Sequence, residues 1–334
     1  MEIEFEVINS TGVIKLNRPK SLNALNIEMA KQFSEKLNEW EIDENIDRVL
    51  LTGEGNHFCA GGDVKSLVLS KNIKNLKQKF FETEYKLNYL ISNFSKKYLT
   101  LWNGVVMGGG VGLSIYGNYR FANETCKFAM PETAIGFFPD VGGSFFLSRI
   151  KKNYGLILGL TGYVIKANEI LELGFATHYC PTDKIDDFIH EYIHKGIVKE
   201  DYKLNSTKED YLNNFDLINN CFSGDIKNIY SKLKKNKSEI AKKILEIMKK
   251  KCPMSLAVTA ELIKKGMNKN LKECLEMEYD LSQNMVYRDD FDEGIDAVLI
   301  SKHHNPKWKP NLLDDIDLNE VKKLFKFNEV KLKL

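Results

Sequence analysis

The stretch Met107–Gly143, MGGGVGLSIYGNYRFANETCKFAMPETAIGFFPDVGG, sets a triple-glycine turn shortly ahead of two isolated carboxylates, Glu132 and Asp140. Three consecutive glycines let backbone N–H groups approach a ligand oxygen with no Cβ in the way, and a helix starting there favours developing negative charge. A polarised carbonyl suits such a place. The carboxylates stand among apolar neighbours such as Met130, Ile135, Phe137, Phe138 and Val141, where partial desolvation is expected to raise a carboxyl pKa and fit it for proton transfer or attack. A glycine run by itself also serves tight strand-to-helix turns, and a glutamate after Pro131 can be a simple first-turn residue, so the reading needs support from elsewhere in the chain.

That support lies upstream, in Phe58-Cys59-Ala60-Gly61-Gly62-Asp63, which follows the apolar run Val49, Leu50, Leu51 and the turn residues Gly53, Glu54, Gly55 and Asn56. The order strand, glycine loop, helix start at Val64–Leu67 is the layout that points backbone donors at a ligand. Two such loops can supply two N–H donors to one carbonyl oxygen, and loss of one donor from an oxyanion hole costs about 100- to 1,000-fold in rate.

With these motifs the chain resembles the crotonase (enoyl-CoA hydratase/isomerase) superfamily and, within it, the 3-hydroxyisobutyryl-CoA hydrolase family. The resemblance is carried by LNRPKSLNALN (Leu16–Asn26), FCAGGDV (Phe58–Val64), FFETEYKLNYLI (Phe80–Ile91), MGGGVGLSIYG (Met107–Gly117), FAMPETAIGFFPDVGG (Phe128–Gly143) and LTGYVIKANEILELGFATHY (Leu160–Tyr179). The block EYDLSQNMVYRDDFDEGIDAVLISKHHNPKWKP (Glu278–Pro310) points to the hydrolases rather than to hydratases in general. The resemblance implies an α/β fold, a crotonase-like ββα spiral over about residues 1–200, with a helical C-terminal region over 201–334 that completes an acyl-CoA pocket in one functional unit. It implies hydrolysis of 3-hydroxyisobutyryl-CoA, and of 3-hydroxypropionyl-CoA, to the free acid and CoA in valine catabolism.

The same resemblance assigns the oxyanion donors to the N–H groups of Gly62 and Gly109, with Ala60 as the alternative for the first. Glu132 matches the family's main catalytic glutamate and Asp140 its partner carboxylate. Glu84 matches a position lining the substrate pocket, with Ala60, Gly61 and Gly108 beside the ligand. A hydratase of this superfamily is expected to carry a first glutamate two places after the triple glycine, where this chain has Gly112. Water addition by two glutamates is therefore disfavoured. The pair Glu132 and Asp140 fits thioester hydrolysis, Glu132 attacking the carbonyl to form a mixed anhydride or acting as general base on water. Asp140 then handles protons or binds the hydroxyl of a 3-hydroxyacyl group. Two further readings are weighed beside hydrolysis: another crotonase-type reaction (hydration or isomerisation), and a non-catalytic acyl-CoA-binding protein.

Other hydrolytic chemistries leave no comparable signal. No G-x-S-x-G elbow is present, and the six histidines (His57, His178, His190, His194, His303, His304) form no H-E-x-x-H pattern. A resident metal is not expected, nor any cofactor beyond the CoA that is part of the substrate. His57 reads as a surface polar residue of the loop, and His178 as the close of a helix-to-strand turn after Gly174.

The 334 residues are 43% hydrophobic and 28% charged, enough for a sizeable core in one or two domains. A net charge of +2 offers no global argument for a nucleic-acid partner. The six cysteines are dispersed without C-x-x-C spacing, which suits a reducing compartment, and Cys59 reads as a small buried residue. No apolar run approaches transmembrane length. Ile3, Phe5 and Val7 fall on one face at strand spacing, so the N-terminus reads as folded chain rather than an Arg-rich transit peptide. The expected location is intracellular, mitochondrial by family resemblance, with cytosol and peroxisome open, and a homo-oligomer is also open.

Periodicity supplies the remaining outline. Val13, Ile14 and Leu16 suggest a second strand, and Met29, Phe33, Leu37 and Trp40 fall at helical intervals. A long helix is expected from about Asn75 to Asn93, and helical pattern dominates from about Pro181. The lysine-rich segment Ser231–Lys251 reads as an amphipathic helix with a solvated basic face, its stripe formed by Ile240, Ile244, Leu245 and Met248. Trp308, between Lys307 and Lys309, reads as a packing anchor, and the superfamily resemblance implies that Phe291, Ile295 and Leu299 line an acyl pocket or a neighbouring subunit.

Overall fold

The computed structural model describes residues 1–70, 75–198, 202, 204, 211–326 and 330–334. The boundary expected between 200 and 201 lies outside them. The chain divides into two compact units, one formed by Met1–Asp63, Thr83–Ala129 and Val164–Lys208, the other by Val64–Glu82, Met130–Tyr163 and Glu209–Leu334.

The first unit holds two sheets. Strands β1 (Ile3–Ile8), β2 (Thr11–Leu16), β3 (Arg48–Gly53), β4 (Lys97–Trp102), β6 (Tyr119–Ala122) and β9 (His178–Tyr179) form one, in the order β1-β2-β3-β4-β6-β9. Strands β5 (Val105–Met107), β7 (Lys127–Ala129) and β8 (Ile165–Lys166) form the other. Asn9 takes φ +54° in the tight hairpin that makes β1 and β2 antiparallel. The next pairs, β2-β3, β3-β4, β4-β6 and β6-β9, are parallel. The buried strands β3 and β4 read accordingly as apolar runs, Val49-Leu50-Leu51 and Tyr98-Leu99-Thr100-Leu101-Trp102.

The helix Ile27–Ile42 begins at Asn26, whose side chain accepts from the Met29 N–H at 2.9 Å, and buries Met29, Phe33, Leu37 and Trp40 as their spacing predicts. Gly12 on β2 is required by this packing, since a Cβ there would stand 2.5 Å from the Trp40 ring. Leu50, Leu99, Leu101 and Phe121 pack with Phe188 and Tyr192 of the helix Ile185–Lys195. The first strand is less covered than its alternation suggests: Ile3 is buried, but Val7 is 51% exposed.

The second unit is helical. Its helix Pro253–Gly266 is buried on nearly every face, and Leu271–Met285 starts in a capping box between Asn270 and Glu273. The lysine-rich segment is two helices rather than one, Ile226–Lys235 and Glu239–Lys249. Asn236 ends the first and the Ser238 hydroxyl caps the second through the Ala241 N–H. Both residue types favour caps over helix interiors, and here that preference overrides the continuous lysine pattern. Trp308 is buried, as a packing anchor should be. Among the described residues no helix is long and apolar enough to cross a membrane.

Candidate active site

In the first unit, the loop after β3 is pinned on both sides by backbone hydrogen bonds. Phe58 N–H donates to Asn103 O, Cys59 N–H to Val105 O, and Met107 N–H to Cys59 O, so Cys59 runs parallel to Val106 of β5. On the other side Leu25 N–H donates to Gly61 O and Asp63 N–H to Leu25 O, both at 2.8 Å. A parallel bridge of this kind engages the residues flanking Gly62 and turns the Gly62 N–H away from Leu25. Gly61 holds φ +119°, a conformation open to glycine. Arg18 closes the loop's end with a 2.9 Å ion pair to Asp63 and a bond to Ala24 O.

The triple glycine meets this loop directly. Gly108, with φ +48°, ends β5 and precedes the helical turn Gly109–Gly112. As the first residue of that turn, Gly109 has no intrahelical acceptor for its N–H. A Cβ on Gly109 would lie 3.0 Å from Gly62 N and would run into the Glu84 carboxylate, so the two amides and Glu84 are immediate neighbours. A Cβ on Gly110 would lie 2.5 Å from Cys59 O, which explains the third glycine by close packing alone. Neither the Gly62 nor the Gly109 N–H is engaged by an acceptor among the described residues. Ala60, the alternative first donor, gives its N–H to Leu22 O at 2.9 Å. Glu84 is buried on the helix Leu76–Asn93.

Two loop residues have settled places. Burial pushes the Cys59 thiol up to about 12, so it stays neutral and is no nucleophile. His57 is only half-exposed, a correction to its reading as a surface residue: its Nδ1 accepts from the Val105 N–H at 3.2 Å, next to the β5 strand that leads into the glycines.

Both carboxylates lie in the second unit and both are buried, Glu132 at 6% exposure and Asp140 at 5%. Glu132 opens a single 3-10 turn, Glu132–Ile135, which Gly136 ends at φ +73° against the Asp290 carbonyl. Thr133 anchors the turn twice, its hydroxyl donating to Leu160 O and its carbonyl accepting from Cys252 N–H at 3.0 Å. That second bond draws in Lys251. Its Nζ and the Pro131 Cα flank Gly162, at 3.4 and 2.9 Å from a Cβ built there. Lys251 therefore does not share the solvated basic face expected for this segment. Burial pulls its ammonium down to about 8, while the charge of Glu132 opposes the fall.

Asp140 is followed by Val141 at φ +53°, an unfavourable region for a β-branched residue, and Gly142 at φ +85°. Asp140 O accepts from Gly143 N–H at 2.7 Å. Glu278, wholly buried on the helix Leu271–Met285, grips the turn: Oε2 accepts from Gly142 N–H at 2.7 Å, and Oε1 from Ser144 N–H at 2.9 Å and Ser144 Oγ at 2.5 Å. Burial raises the Glu278 carboxyl and these donors pull it back down; acceptance at both oxygens is the arrangement of the ionised carboxylate. Sequence reasoning gave neither Lys251 nor Glu278 a place in the site. Lys251 resembles its neighbouring lysines, and its one local signal is that it follows the end of the amphipathic helix and precedes Cys252-Pro253.

Residues 11–325 match the family described as enoyl-CoA hydratase/isomerase. The 3-hydroxyisobutyryl-CoA hydrolase, mitochondrial, of Danio rerio is 40% identical over 97% of this chain and 89% of its own length. The human protein of the same name is 39% identical over 97% of this chain and 88% of its own. Among solved structures, a carnitinyl-CoA dehydratase from Mycobacterium thermoresistibile superposes with a TM-score of 0.94 at 33% identity, covering 99% of this chain and 98% of that one. An enoyl-CoA hydratase from Rhodobacter sphaeroides gives 0.91 at 31% identity, covering 97% of each chain.

Proposed function

The chain belongs to the 3-hydroxyisobutyryl-CoA hydrolase family, within the enoyl-CoA hydratase/isomerase group and its crotonase fold, and from that membership we infer that it hydrolyses 3-hydroxyisobutyryl-CoA to 3-hydroxyisobutyrate and CoA, a thioester-cleaving step of valine catabolism. The observation that supports this best is the pair of adjacent amides of Gly62 and Gly109, unengaged among the described residues, beside a helical turn that carries glycine, not glutamate, at position 112.

In this reading the Gly62 and Gly109 N–H groups accept the charge that develops on the thioester oxygen. The Glu132 carboxylate attacks the carbonyl carbon. The C–S bond breaks, CoA leaves as the thiolate and takes a proton, and water cleaves the resulting anhydride to free the acid and restore Glu132. General-base action of Glu132 on water is the alternative route. A single turnover in ¹⁸O-water followed by peptide mass analysis separates the two, since label in the Glu132 peptide requires the anhydride. Asp140 handles the protons of both steps. The reading needs no resident cofactor, as CoA arrives and leaves with the substrate. 3-Hydroxypropionyl-CoA, which lacks one methyl group, is proposed as a second substrate, and a mitochondrial location follows the names of the relatives.

The names of the superposed structures make hydration the rival reading. Free-thiol release from 3-hydroxyisobutyryl-CoA, measured beside loss of crotonyl-CoA absorbance, decides between them. Thiol release that depends on Glu132, without crotonyl-CoA turnover, supports the hydrolase. Crotonyl-CoA turnover without thiol release overturns it.

A further inference from the structure

Glu278 stands outside the assigned machinery, yet three donors from two residues of one turn converge on its one carboxylate: Gly142 N–H, Ser144 N–H and Ser144 Oγ. The helix that Ser144 enters, Gly143–Phe146, is a single turn, too short for capping to be the purpose of a fully buried acid. What the carboxylate does secure is the backbone next to Asp140. Val141, at φ +53°, would relax to negative φ if released, because a β-branched side chain has no stake in the left-handed region. That relaxation would swing the residue before it. Asp140 cannot move alone, since its carbonyl is tied to Gly143 N–H inside the same grip.

We propose that Glu278 is a positioning residue for Asp140, holding the strained Val141–Gly142 turn from the helix Leu271–Met285 so that the Asp140 carboxyl stays at one working place. The proposal rests on the reading of Asp140 as a proton-handling group. Glutamine at 278 keeps the shape but has a single acceptor oxygen, and its NH2 would face a donor, Gly142 N–H or the Ser144 pair, where the carboxylate now accepts. One side of the grip must open.

The test compares Glu278→Gln, the milder Ser144→Ala, Asp140→Asn and the double variant Asp140→Asn/Glu278→Gln in the full chain. Each is followed by thiol release from 3-hydroxyisobutyryl-CoA and by amide hydrogen exchange of the peptide spanning residues 137–146. A misplacement on the order of 1 Å costs about 100-fold in rate, so Glu278→Gln is expected to lower kcat by about 10- to 100-fold with KM within about threefold, and to speed exchange in that peptide. In the Asp140→Asn background the same change should lower kcat by less than about threefold, because residues acting as one unit are not additive. Ser144→Ala should show the same pattern, weaker. Equal kcat losses in both backgrounds, or unchanged exchange, overturn the proposal. If the thioesterase reading itself is wrong, the wild-type chain releases no thiol while exchange in Glu278→Gln still rises, so the two failures are told apart.

Discussion

Replacing Gly109 with alanine should remove most of the hydrolytic turnover while leaving the fold in place. The added methyl would sit 3.0 Å from Gly62 N and 3.3 Å from Gly61 C, and against the Glu84 carboxylate. The carboxylate is the flexible end of a side chain and can turn aside. Gly62 cannot, because the bonds from Leu25 N–H to Gly61 O and from Asp63 N–H to Leu25 O fix the backbone on both sides of it. The methyl therefore pushes the Gly109 amide out of line and crowds the space where the oxyanion would rest. Losing one such donor costs about 100- to 1,000-fold in kcat, or about 2.7–4 kcal/mol. The ground-state carbonyl carries little charge, so KM should stay within about threefold. The assay is thiol release with kcat and KM resolved, beside the melting temperature. Gly110→Ala is the contrast: its methyl would meet the Cys59 carbonyl at 2.5 Å, in the packing behind the turn. It should lower stability by about 1–3 kcal/mol, the usual cost of overpacking. A Gly109→Ala protein with kcat within about threefold of wild type would refute the assignment of this amide to the oxyanion.

Glu132→Gln should abolish thiol release while the protein still binds acyl-CoA, read by titration calorimetry with a non-hydrolysable thioether; retained turnover would exclude Glu132 as nucleophile or base. For Lys251, the folded-state value of about 8 means that the ammonium is present below that pH and lost above it. The pH profile of kcat/KM should therefore fall on the alkaline side near 8. In Lys251→Met that limb should vanish and the acid limb should move to higher pH, because the Glu132 carboxylate has lost its cation; identical profiles would show that Lys251 does not act on Glu132. Asp140→Asn should lose the same factor on isobutyryl-CoA as on 3-hydroxyisobutyryl-CoA if it handles protons. A loss confined to the hydroxylated substrate would make it a hydroxyl-binding group instead.

The features that could be read from the chain alone are those whose causes are local. Helix Ile27–Ile42 follows from four apolar residues at helical intervals. The glycine loops follow from backbone shapes and approaches that few other residues permit, as at Gly61 and Gly110. The carboxylates were visible as isolated acids in apolar surroundings. The misreadings also have local causes: the lysine pattern over Ser231–Lys251 concealed the break at Asn236–Ser238, and His57 looked like any polar loop residue until β5 brought the Val105 amide to it.

What no local pattern reveals is how each carboxylate is governed. Glu132 and Asp140 are eight positions apart on similar apolar ground, yet their partners arrive from remote helical segments and differ in kind. Lys251 brings a cation to Glu132, through an anchor at Cys252 N–H and Thr133 O. Glu278 brings a second acid near Asp140 and holds the backbone instead of the charge. A cation near Glu132 bears on the charge of that acid, whereas the grip on Gly142 and Ser144 bears on where Asp140 stands. One partner acts through charge and the other through position. If that division is real, Lys251→Met and Glu278→Gln should fail differently, the first shifting the pH profile and the second lowering kcat across it. Variants that both merely scaled the same profile down would reduce the two residues to packing.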